Sequence, residues 1–86
     1  MTVPVRLLYF AWLRERLGTA EEEVTLPAGV DTVGALLAWQ RARGPAAAEA
    51  FASATVRCAV NQEFANDSTP IASGDEVAFF PPVTGG

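Results

Sequence analysis

Hydrophobic positions alternate with a period of two at both ends of the chain and follow a helical period in its middle. Residues 3–10 place Val3, Val5, Leu7 and Tyr9 on one face and Leu8 and Phe10, after Arg6, on the other. That alternation predicts an extended strand. Both of its faces are largely apolar, which marks a strand inside a sheet or one with an interface on its outer side. Residues 11–17 predict a short helical turn with Gly18 as its C-cap. Residues 21–26 predict a second strand ended by Pro27 and Gly29, with Glu21-Glu22-Glu23 as a solvated edge that discourages aggregation. Asp31 is the expected N-cap of the main helix. The helix shows Val33, Leu36, Leu37 and Gln40 on one face, apolar except for Gln40, and stops near Gly44-Pro45. Gly34 lowers helix propensity there, so packing must hold the helix. Residues 46–52 are Ala-rich and suit another helical turn. Residues 56–61 predict a third strand and residues 76–80 the last one. Turn signals at 66–70 and 73–75 lie between these two strands and leave room for one short strand more.

This order predicts an α+β domain, a mixed sheet of about five strands packed on one main helix. One helix covers one sheet face. The other face stays open unless something binds it.

Eighty-six residues make one small domain, divided as a folded body over 1–80 and an extended tail over 81–86. No apolar run approaches the ~18 residues of a membrane span, and Met1-Thr2-Val3-Pro4 does not open a secretory signal. The lone Cys58 forms no internal disulfide, which suits a reducing cytoplasm. Net charge is −4, and the six cations are scattered arginines. Nucleic-acid binding needs clustered cations. An acidic chain suits a basic partner instead. The chain has no histidine and no lysine. It therefore lacks the usual neutral-pH proton shuttle and offers no side-chain amine for conjugation to a second copy. No metal or bound cofactor is expected.

Chemistry concentrates at the other end. After Glu76 no side chain is charged, and the sequence runs Val77-Ala78-Phe79-Phe80-Pro81-Pro82-Val83-Thr84-Gly85-Gly86. Two prolines stop a sheet because they donate no ladder hydrogen bond. Gly85 and Gly86 carry no Cβ, so this ending can enter a channel closed to other residues. Such a tail fits a chain whose reactive group is its own terminal carboxylate. A carboxylate is a poor electrophile and must be activated, usually as an acyl-adenylate made from ATP. The chain has neither a GxxxxGK phosphate loop nor a GxGxxG pattern, so ATP is expected to be used by a partner enzyme. The acyl group can then pass to an amine or to sulfur.

The segment Gly74-Asp75-Glu76 through Phe79-Phe80-Pro81-Pro82-Val83-Thr84-Gly85-Gly86 resembles the small subunits of molybdopterin synthases, a family of ubiquitin-like sulfur carriers. Leu7-Leu8-Tyr9-Phe10-Ala11, Leu13-Arg14-Glu15, Thr32-Val33 through Leu36-Leu37, and Val60-Asn61-Gln62 extend the resemblance over essentially the whole chain. It implies a ubiquitin-like β-grasp fold. It also implies an E1-like enzyme that adenylates Gly86, conversion of that terminus to a thiocarboxylate, and insertion of the tail into a large catalytic subunit. There sulfur passes to a pterin precursor of the molybdenum cofactor. The implied assembly is a heterotetramer of two small and two large subunits, in which this chain is a non-catalytic sulfur donor.

Phe10 and Phe80 have opposite parity to Tyr9 and Phe79, so they face outward if the latter face the helix. Phe64 falls in the Gln62-Glu63-Phe64 turn region. The resemblance places Phe10, Phe64 and Phe80 on a partner-docking surface, with Pro81, Pro82, Val83 and Thr84 leading to Gly85 and Gly86. Core packing is the simpler account of an isolated Phe. Cys58, mid-strand with only Arg57 nearby, reads as an inert core thiol rather than a persulfide site. The alternatives are a sulfur carrier of another pathway, such as the thiamine type, a ubiquitin-like protein modifier, and a non-covalent binding module.

Overall fold

The first and last strands of the chain lie side by side in the middle of its sheet. The computed structural model describes residues 3–52 and 55–82. In chain order these form β1 (Val5–Tyr9), α1 (Trp12–Leu17), β2 (Glu21–Val24), α2 (Val33–Arg41), α3 (Pro45–Ala52), β3 (Arg57–Val60), β4 (Glu63–Ala65) and β5 (Glu76–Phe80). The sheet order is β2-β1-β5-β3-β4. Only β1 and β5 pair in parallel, with Tyr9 opposite Phe79, and the other three pairings are antiparallel. The mixed sheet with its helices on one face is the expected ubiquitin-like β-grasp arrangement. Because β1 and β5 run the same way, their C-terminal ends meet, and the segment after Phe80 leaves from the centre of the sheet.

Inward side chains of the central strands are fully buried: Leu7, Tyr9, Val77 and Phe79 all lie at 2% exposure or less. Leu13, Val33 and Leu36 close over them. Tyr9 stacks on Phe79 at 5.7 Å, and Phe51 meets the Phe79 ring edge-on at 5.1 Å. Phe51 comes from α3, the stretch whose sequence suggested only a helical turn. Ala47 and Ala50 pack beside it. Their small side chains let α3 approach the sheet closely, so α2 shares the helical layer rather than filling it alone.

Several local expectations change. The N-cap of α2 is Thr32, whose hydroxyl accepts from the Ala35 amide at 3.2 Å, while the Asp31 carbonyl accepts from the Ile71 amide at 2.9 Å. Asp31 is thus held by the incoming chain one residue too early to cap. The second strand stops at Val24 rather than Leu26. Phe64 lies within β4, because the turn is confined to Asn61 and Gln62, both at positive φ, as a two-residue hairpin requires. Gly34 has a packing reason. Its amide donates to the Asp67 carbonyl at 2.9 Å, and a Cβ there would sit 3.1 Å from that oxygen.

The acidic edge is only partly solvated. Glu21 and Glu23 face out, but Glu22 turns toward the helices. The Tyr9 hydroxyl donates to Glu22 at 2.6 Å and accepts from the amide of Gln40 at 2.9 Å. Arg43 donates to both Glu22 oxygens, at 2.5 and 3.2 Å. Gln40, buried at 1% exposure, therefore ends the apolar helical face without an unsatisfied group. Donation from Arg43 holds the Glu22 carboxyl below its ordinary 4.5, against a smaller opposing effect of burial. The folded value being the lower one, its stabilisation is complete above pH 4.5 and is lost as pH falls through the folded value. Urea unfolding between pH 7 and 3 is expected to show a steeper acid loss for the parent than for Glu22→Gln. Parallel curves would exclude this role for Glu22.

Candidate functional site

Among the described residues, the sheet's second face carries no helix. Register places Arg6 and Glu76 in one cross-strand row, and Leu8, Ala78, Ala59 and Phe64 in the next. Phe80 lies opposite Arg57 in the last row, and Phe10 follows β1 at the same end. Phe10 is 48% and Phe64 87% exposed, and Phe80, Pro81 and Pro82 are half-buried. The parity argument for Phe10 and Phe80 holds, and Phe79 and Tyr9 face the helices as expected.

Two local devices aim these aromatics. The Asn61-Gln62 turn flips β4 back beside β3 and sets Phe64 opposite Ala59. Its ring then lies 6.0 Å from that of Phe80. At the other side, Ala11 takes φ 55° and ψ −132°, a region costly for a residue with a Cβ. This turn ends β1, and the Leu13 amide donates to the Phe10 carbonyl at 3.2 Å. Phe64, Phe80, Pro82 and Arg57, with Cys58 and Ala65 beneath, line a recess of about 380 Å³.

Leu8, which alternation along residues 3–10 already puts on this face, shares it with Ala59 and Ala78, to which the sequence gives no role. Strand parity carried along residues 57–60 and 76–80 reaches Ala59 and Ala78 as well. The sequence marks Arg57 only as a neighbour of Cys58. The predicted tail positions Val83, Thr84, Gly85 and Gly86 lie outside the described residues. Pro81 and Pro82 show the chain leaving β5 at the aromatic end of the face.

An apolar patch of this kind, open on a small domain, is characteristic of surfaces that take a partner. Charge frames it on one side. Arg6 donates to Glu21 at 2.8 Å and approaches Glu76 at 3.9 Å, leaving Glu23 to make the β2 end acidic. Among the described residues no group of His, Cys, Asp and Glu side chains is arranged to hold a metal ion, and no helix is long and apolar enough to cross a membrane.

Cys58 is buried, and burial, helped by Asp67, pushes its thiol up to about 12. A thiol so rarely ionised is a poor nucleophile. Cys58→Ala is therefore expected to cost only about 1 kcal/mol of stability from the small cavity and to leave any chemistry at the chain's C-terminal end unchanged. Loss of activity in a folded Cys58→Ala variant would show that the thiol takes part.

The ThiS family profile matches residues 7–86. A relative from Escherichia coli (strain K12), named molybdopterin synthase sulfur carrier subunit, is 43% identical over 95% of this chain and 99% of its own length. One of the same name from Mycobacterium tuberculosis is 40% identical over 98% of this chain and 99% of its own. Among solved structures, a Pyrococcus furiosus protein assigned as a molybdopterin converting factor, subunit 1, superposes with a TM-score of 0.77 at 33% identity, covering 95% of this chain and all of that one. Small archaeal modifier protein 1 of Haloferax volcanii gives 0.67 at 26% identity, covering 94% and 99%.

Proposed function

This chain belongs to the ThiS family, and from that premise we propose that it is the sulfur-carrier subunit of a molybdopterin synthase. The observation that carries the reading is the placement of Phe10, Phe64 and Phe80 around the point where Pro81-Pro82 leads toward Gly85-Gly86. A partner docked on that patch would receive the tail directly. The two relatives named above support the choice of pathway.

In this reading an E1-like enzyme transfers AMP from ATP to the Gly86 carboxylate and releases pyrophosphate. Sulfide from a sulfur donor then attacks the acyl-adenylate carbonyl and displaces AMP, leaving a terminal thiocarboxylate. The large synthase subunit binds the aromatic patch and admits residues 81–86, the tail apart from the folded body 1–80. There the thiocarboxylate sulfur forms a C–S bond to a carbon of the pterin precursor as that carbon's bond to an oxygen leaving group breaks, the oxygen taking the electron pair. Hydrolysis of the resulting acyl linkage returns the Gly86 carboxylate and leaves sulfur on the precursor. Two small and two large subunits complete the assembly. The chain supplies binding surface and reactive terminus, and the catalytic side chains belong to the large subunit. Its setting is the cytoplasm.

The likeness to a small archaeal modifier protein favours one second reading, conjugation of Gly86 to amines. Intact mass after incubation with ATP, a sulfur donor and the activating enzyme separates the two. Exchange of one oxygen for sulfur supports the carrier, a conjugate of larger mass supports the modifier, and an unchanged mass overturns both.

A further inference from the structure

Four of the six arginines are engaged within the chain. Arg6 pairs with Glu21, Arg16 with Glu49, and Arg43 with Glu22, while Arg41 donates to the Phe51 carbonyl. Arg14, on α1, and Arg57, on β3, make no side-chain hydrogen bond or ion pair among the described residues. Arg57 differs from Arg14 in its place. It faces outward, lies opposite Phe80 in register, and lines the recess with Phe64 and Pro82. Acidic side chains outnumber arginines ten to six in this chain, yet none meets this guanidinium.

A partner that fills the recess takes Arg57 out of water. Desolvating an uncompensated cation is strongly unfavourable, and a carboxylate in good geometry offsets the cost. The planar guanidinium is built for two parallel hydrogen bonds to such a group. The opposite end of the same face is acidic, with Glu21, Glu23 and Glu76 around the single cation Arg6. The face is therefore polarised along its strands, cationic where the tail departs and anionic at the far end. Complementary charge of that kind fixes the orientation of docking more than its raw strength.

We propose that Arg57 is a specificity-determining residue of the docking face, pairing with an Asp or Glu carboxylate that the large synthase subunit presents beside the Phe64–Phe80 recess. The proposal rests on the function proposed above. It makes Arg57 the contact that orients the carrier so that the tail points into the partner. The aromatic residues supply the apolar contact, and the ion pair selects which partner surface is accepted.

The test is titration of the purified large subunit with the full chain at low and high salt. Arg57→Leu is expected to bind roughly tenfold more weakly and Arg57→Glu at least about a hundredfold, with Arg57→Lys keeping part of the affinity. The salt dependence of binding should flatten in Arg57→Leu and not in Arg57→Lys, a difference that mere loss of packing would not produce. Thermal melts of all three are expected to match the parent. Should Arg57→Leu fold poorly, Arg57→Gln gives the same comparison. Unchanged affinity and salt slope in Arg57→Leu or Arg57→Gln, with the parent binding tightly, overturns the role of Arg57 alone. A parent chain that does not bind the large subunit at all overturns the proposed function, and this inference with it.

Discussion

A chain lengthened by one residue beyond Gly86 is expected to transfer no sulfur while melting at the same temperature as the parent. The reacting carboxylate would be displaced by one residue, about 3.3 Å in an extended chain. The new residue would also bring a Cβ to a position where Gly86 has none. Displacements of about 1 Å from a reactive geometry already cost on the order of 100-fold in rate. Deletion of Gly86 shifts the reactive group the other way and should be as damaging. Stability should not follow, because the buried cluster ends at Phe79. Single-turnover sulfur transfer to the pterin precursor measures the first effect and calorimetry the second. Intact mass must show that the added residue has not been trimmed. Normal transfer by the lengthened chain would end the carrier reading.

Phe80→Arg and Phe79→Arg are expected to fail in opposite ways, although the two residues are adjacent. Phe79 is 0% exposed and packs on the rings of Tyr9 and Phe51. Removing such a ring costs about 3–5 kcal/mol, and an unpaired buried guanidinium costs more. Those losses rival the ~5–15 kcal/mol that holds a small domain together, so Phe79→Arg should unfold it. Phe80 faces out beside Phe64 and Arg57. Its replacement leaves no core cavity, and the melt should shift little. Binding to the large subunit should fall by at least about 2 kcal/mol, more than 20-fold, as for a central aromatic anchor. Thermal melts and titration of the two variants decide between them. An unfolded Phe80→Arg beside a folded Phe79→Arg that has lost binding would invert the facing of β5.

Much of this was legible in the sequence because it depends on local periodicity. Alternation along residues 3–10 and 76–80 separated Tyr9 and Phe79 from Phe10 and Phe80, since strand geometry sends neighbouring side chains to opposite faces whatever the sheet contains. Gly18 as a C-cap followed from the αL conformation that helix ends favour. The uncovered face followed from counting helices against strands.

What only the tertiary structure decided involves partners distant in sequence. Glu22 reads as one more solvated carboxylate, and only packing brings Tyr9, Gln40 and Arg43 to it. Residues 45–52 show little pattern because small alanines pack without a strong period, so the role of Phe51 in the core was hidden. Thr32 displaced Asp31 as cap because the strand-like segment at Pro70-Ile71 binds the backbone there first. Phe64 moved from turn to strand because both turn residues adopt positive φ, which sequence permits at Asn61 but does not signal at Gln62. Arg57 gained its meaning from the register of β3 on β5, which sets it opposite Phe80. Local propensity specifies which way a side chain points, whereas pairing register and packing choose what it meets.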